Sequence, residues 1–133
     1  MTDYAADNRT ALTVTVPIGA SVSTAIEFRG LRPLAIVTPA ALTATTAIIQ
    51  FWGNIDGATP VLMRDMGGTE IEAVCLATAS WYIPLGNTDD AGAGSDRFRG
   101  VNTLQIRLFA SDGSTAVAQA AAARTFKLIC EEV

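Results

Sequence analysis

From Leu12 onward the chain alternates apolar and polar residues in short runs. Leu12, Val14, Val16 and Ile18 share one phase, and Thr13, Thr15 and Pro17 share the other. A period of two puts one set on the buried face of a β-strand and the other toward solvent. Runs of this kind predict strands over residues 12–18, 22–28, 34–38, 46–52, 61–66, 70–77, 81–85, 103–109 and 125–131. Turn residues separate them: Gly19, Gly30, Pro39, Asn54-Ile55-Asp56-Gly57, Gly67-Gly68 and Ser111-Asp112-Gly113-Ser114. Eight or nine short strands with no convincing helix predict an all-β chain, an antiparallel β-sandwich of jelly-roll or related topology.

Two stretches depart from the alternation. Residues 86–100, GNTDDAGAGSDRFRG, read as a long polar loop, and loops of that length are functional or mobile. Residues 116–124, AVAQAAAAR, have helix-forming composition but are too few for a stable isolated helix. They are expected to connect strands, with room for one helical turn. Residues 1–10 lack periodicity and are expected to form an N-terminal arm, with a single sandwich domain over residues 11–133.

Composition narrows the function. A chain of 133 residues is one domain by size and buries roughly two thirds of its unfolded surface, enough to fold without a metal or disulfide. Only 17% of its residues are charged, against about a quarter in ordinary domains, which points to surface covered by a partner. The net charge of −4 comes with no basic cluster, so no nucleic-acid partner is expected. The first ten residues are polar with no apolar h-region, so no secretory signal is expected. The apolar runs are too short to span a bilayer, so no membrane partner is expected. Cys75 is in phase with Ile71 and Ala73, and Cys130 with Phe126 and Leu128. Both are read as buried free thiols of a reducing compartment.

The chain contains no histidine, the commonest general base. No serine lies in a G-x-S-x-G context, and Lys127 is the only lysine, so nucleophilic catalysis finds no apparent base. Glu70 and Glu72 share a strand face, read as a solvated face rather than a catalytic pair. Asp89, Asp90 and Asp96 crowd the polar loop without the D-x-D-x-D-G spacing of a calcium loop. The expectation is no enzyme, no metal and no cofactor. The aromatics carry more. Trp52 is out of phase with Ile49 and Phe51, and Trp81 and Tyr82 are adjacent, so one of them must face away from the local core. Exposed aromatic faces stack on sugars or fill interface pockets, unless a loop covers them.

Three segments form a further pattern: Ile26-Glu27-Phe28-Arg29-Gly30-Leu31-Arg32 leading to Thr38-Pro39-Ala40-Ala41-Leu42-Thr43; Gln50-Phe51-Trp52-Gly53-Asn54-Ile55-Asp56-Gly57; and Phe98-Arg99-Gly100-Val101-Asn102-Thr103-Leu104-Gln105-Ile106-Arg107. Over most of the chain this resembles small head-region virion structural proteins of tailed bacteriophages. Those share patterns of the type I-x-L-R-G, P-A-A-W-T-A, Q-x-S-x-D-G and R-Y-L-K-I-R-S. Leu42 stands where a tryptophan is common, and residues 86–100 differ from the pattern.

The resemblance implies a capsid decoration or cement protein on the virion surface, made in the host cytoplasm. Its partners would be the major capsid protein and further copies of itself, as a dimer or trimer that also covers strand edges. Tyr4 and Arg9 of the arm, Trp52, Trp81, Tyr82, Arg97 and Arg99 are the candidate interface residues. A carbohydrate-binding sandwich using Trp52, Trp81 and Tyr82, and a low-copy head–tail connector, are the alternatives.

Overall fold

A computed structural model describes residues 9–54, 59–64, 67–85, 98 and 101–132. Nine strands run in order: β1 (Arg9–Val16), β2 (Ile26–Glu27), β3 (Leu31–Val37), β4 (Thr46–Asn54), β5 (Val61–Leu62), β6 (Glu72–Leu76), β7 (Tyr82–Pro84), β8 (Thr103–Phe109) and β9 (Arg124–Glu132). All the pairings between them are antiparallel. They make two sheets, one ordered β1-β9-β3-β7, the other β2-β8-β4 with β5 and β6 sharing the far edge of β4.

The pairings nest. β4 bonds to β5 and β6, β3 to β7, β2 to β8, and β1 to β9. This is one long antiparallel ribbon rolled so that its successive segments alternate between two sheets, which is jelly-roll winding. The rolled ribbon is sealed where β9 meets β3 and β8 meets β4.

Period-two side chains fill the space between the sheets. Val14, Val16, Ile36, Phe126, Leu128 and Cys130 come from one inner face, and Ala47, Ile49, Phe51, Ala73, Cys75, Leu104, Ile106 and Leu108 from the other, all buried. Connections add Phe28, Leu42, Ile71, Phe98 and Val101 to the same core. Phe98 stands edge-on to Phe51 at 5.3 Å between ring centroids and tilted against Phe28 at 6.1 Å. Gly53 lets this region close. A Cβ there would lie 3.1 Å from Val101 Cγ2 and 3.3 Å from Met63 Sδ, tight contacts that require these side chains to give way slightly.

Several boundaries differ from the pattern in the sequence. β1 begins at Arg9, so Arg9 and Thr10 belong to a strand, while residues 1–8 lie outside the described residues. Residues 22–28 yield only β2 and an isolated bridge from Val22 to Arg107. Buried Ser23 explains this: its N–H donates to Ile106 O, and its Oγ accepts from Ile106 N–H at 2.9 Å. Of the expected strand over residues 61–66, β5 holds Val61 and Leu62, Met63 packs against the core and Arg64 bridges to Glu70, while residues 65 and 66 lie outside the described residues.

Residues 117–123 take up no helical turn. They form an irregular connection pinned by Gln119, whose N–H donates to Ala20 O and whose carbonyl accepts from Gly19 N–H. The buried Gln119 side chain accepts from Thr43 N–H at 3.0 Å. Long-range hydrogen bonds here outweigh local propensity.

Candidate functional site

The outward face of the second sheet follows from its register. Ile48 lies between Val74 and Phe109, Gln50 between Glu72 and Arg107, and Trp52 between Leu62 and Gln105. The middle row is polar and tightly tied. Gln50 is only 4% exposed. Its Nε2 donates to Glu70 Oε2 at 3.1 Å, Gly113 O at 3.3 Å and Glu72 Oε2 at 3.5 Å, and its Oε1 accepts from Trp52 Nε1 at 3.3 Å. Glu70 also pairs with Arg64 at 3.3 Å. The turn carrying Gly113 therefore lies against this face, covering part of it.

Charge on this face is unevenly satisfied. Burial, then the neighbouring Glu70, pushes the Glu72 carboxyl above its ordinary range. Two carboxylates share one amide donor, and their mutual repulsion opposes ionisation of Glu72. The Arg107 guanidinium sits 3.6 Å from the centroid of the Trp52 ring, a cation–π contact. Burial lowers the Arg107 pKa. Because Glu70 and Glu72 bind one nitrogen on one strand face, they do not flank a cleft as a glycosidase acid pair must.

The outward face of the first sheet is organised differently. Its register gives a row Arg9–Glu131–Arg32, in which Arg32 is ion-paired to Glu131. The next outward rows are Ala11–Ile129–Ala35–Pro84 and Thr13–Lys127–Val37–Tyr82. Tyr82 is 63% exposed and Trp81 39% exposed. The Trp81 backbone is fixed from both sides by Thr38: Thr38 N–H donates to Trp81 O at 2.9 Å, and Trp81 N–H donates to Thr38 Oγ1 at 3.0 Å. Tyr82 thus faces outward from β7, and the Trp81 backbone is fixed just before the strand begins.

The candidate residues fall into separate places. Arg9 and Tyr82 share the outer face of the first sheet but sit on its opposite edge strands, β1 and β7. Trp81 immediately precedes β7. Trp52 lies on the second sheet with one ring face taken by Arg107, so the structure does not gather Trp52, Trp81 and Tyr82 into one platform. Tyr4, Arg97 and Arg99 lie outside the described residues.

Sequence reading missed the network around Gln50. Its only signal was a polar residue in phase with Trp52 on an otherwise apolar strand. Cys75 and Cys130 are free and buried, on opposite sheets. Burial raises both thiols, Cys130 to about 11, which keeps them protonated and unreactive. Among the described residues no group of three or more acidic or cysteine side chains is placed to hold a metal ion. No family model, curated protein or solved structure matches this chain.

Proposed function

We propose that this chain is a non-enzymatic virion structural protein of a tailed bacteriophage, a decoration or cement protein that bridges and stabilises major capsid protein subunits. The observation that carries the reading is where the phage-like segments fall. Ile26–Glu27 is β2, Gly30 turns into β3 with a φ of 72°, and Ala41 turns toward β4 with a φ of 65°. Gln50 to Asn54 end β4, and Thr103 to Arg107 open β8. The residues that carry the resemblance are those that wind the jelly roll.

Jelly rolls serve as viral capsid and lectin domains alike, so the winding by itself does not choose between them. The surface favours the capsid role. Exposed apolar residues are dispersed: Val74 and Leu76 on the outer face of the second sheet, Tyr82 on that of the first, and Ile18, Val61 and Trp81 at turns and strand ends. A subunit surrounded by lattice neighbours uses several modest contacts of this kind, multiplied by avidity across the shell. A glycan platform would need Trp52, Trp81 and Tyr82 on one surface, and Trp52 lies on the other sheet from Tyr82.

The test is the copy number of this protein in purified particles, with the major capsid protein as internal standard. A fixed, high ratio to capsid subunits is expected. A handful of copies per particle would move the protein to the head–tail connector. Absence from particles would refute the virion role.

A further inference from the structure

Sheets in this fold end in edges, and most edges here are blunted. β2 and β5 are two residues long, and β7 is three with Pro84 at its end. β6 is five residues long and begins with Glu72. Short strands, proline and charge are the usual devices against unwanted strand pairing. β1 has little of this. It is eight residues long, RTALTVTV, and its register against β9 runs unbroken from Arg9 to Val16. It carries no proline, lysine or bulge, and its one charge is at the first residue.

One hydrogen bond fixes which main-chain groups of β1 point outward. Thr24 N–H donates to Thr15 O at 3.0 Å from the side away from β9. In an antiparallel ladder this orientation alternates, so Thr13, Ala11 and Arg9 also turn N–H and C=O outward. Thr24 closes the far end of the edge. The stretch from Arg9 to Thr13 stays open, and among the described residues nothing bonds to its outward groups.

We propose that this open edge pairs with β1 of a second copy, antiparallel about a twofold axis through Ala11. The open stretch is its own complement. Five residues centred on Ala11 place Arg9 opposite the partner's Thr13 and Thr10 opposite the partner's Leu12. All three outward residues of each copy then exchange both of their hydrogen bonds. No like charges meet, since each Arg9 faces a threonine and the two arginines stand at opposite ends. The half-buried Leu12, at the rim of the core, gains cover from the partner's Thr10. A register slid further toward Val16 runs into Thr24. The product is one continuous sheet running β7-β3-β9-β1 and back through the partner.

This deepens the self-association expected from the sequence and needs nothing of the proposed capsid contacts. The experiment is sedimentation equilibrium of the full chain beside Ala11→Pro and Ala11→Cys. Ala11 N–H points away from β9, so proline removes a bond to the partner and none from the fold. The wild type is expected to be a dimer at micromolar concentration, with Ala11→Pro weakening association at least tenfold at an unchanged circular dichroism spectrum. Across the twofold axis the two Ala11 Cα atoms would lie about 5.5 Å apart, within reach of a short bis-maleimide linker. Ala11→Cys treated with that reagent should therefore form a cross-linked dimer that the wild type, with its thiols buried, does not. Should Ala11→Pro fail to fold, that cross-link decides alone.

A monomeric wild type, an oligomer indifferent to Ala11→Pro, or a folded Ala11→Cys that never cross-links would overturn the proposal. Failure here leaves the copy number in particles untouched, and absence from particles leaves the dimer untouched.

Discussion

Replacing Phe98 by alanine tests whether the core is assembled as described. The ring is 1% exposed and touches two other aromatics, edge-on to Phe51 and tilted against Phe28. Truncating a buried phenylalanine costs about 3–5 kcal/mol through lost transfer energy and the cavity left behind. Each favourable ring pair adds about 0.5–1.5 kcal/mol beyond area burial, which places Phe98→Ala in the upper part of that range. Domains of this kind are held by about 5–15 kcal/mol in all, so the variant should remain folded but lose a large share of its margin. Phe98→Leu keeps most of the volume and should cost clearly less.

The assay is urea denaturation followed by tryptophan fluorescence, with the denaturant slope compared between variants. An unchanged slope with a lower midpoint reads as lost stability. A loss below about 1 kcal/mol for Phe98→Ala, typical of surface positions, would refute the burial of this ring between the sheets.

Two further outcomes depend on pH. The Asp112 carboxylate accepts from Thr115 Oγ1 at 2.5 Å and from the N–H groups of Ser114 and Thr115 at 2.9 and 2.8 Å, which lowers its pKa to about 2. A lowered carboxyl stabilises the fold above its ordinary pKa and loses that contribution as pH falls toward the folded value. Carbon-detected NMR should place the Asp112 midpoint at about 2 and show it rising in Thr115→Val; an ordinary midpoint in the wild type would dismiss the turn geometry. Glu72 runs the other way. Its pKa is raised, so the fold holds the proton more tightly than the unfolded chain, and stability falls as pH rises through the folded value. Glu72→Gln should therefore raise the denaturation midpoint at neutral pH, with the gain vanishing below about pH 4. Destabilisation at neutral pH would show that the charge at Glu72 helps rather than hurts.

The alternation of side chains was enough to find every strand among the described residues, because each sheet has one wet and one dry face. β8 came out on the same residues, Thr103 to Phe109, since its period-two pattern is strict from end to end. Where the prediction overshot, distant partners were responsible. Ser23 bonds to Ile106 and Thr24 to Thr15, and no local window shows that residues 22–25 are needed to bridge the two sheets. The aromatics were legible as out of phase with the core, but which sheet they face depends on the winding. Gln50 illustrates the remaining gap: its partners Glu70, Glu72 and Gly113 reach it only once β4 and β6 have found their register and the 111–115 turn has folded back.

The nested pairing also sets an order in time. The ribbon segment of β4 with β5 and β6 closes over the shortest stretches of chain, and each segment outward closes over a longer one, ending with β1 against β9. Long closures carry more entropy loss and slow folding. β1 is synthesised first of these nine strands and its ladder partner β9 last, so β1 must wait for its ladder until the other eight strands have been made. β9 is also the strand between β1 and β3, so the first sheet is split until it arrives. Release of the last strand from the ribosome is therefore the event that completes the sheet, and in the interval before it β1 is the segment most in need of a chaperone.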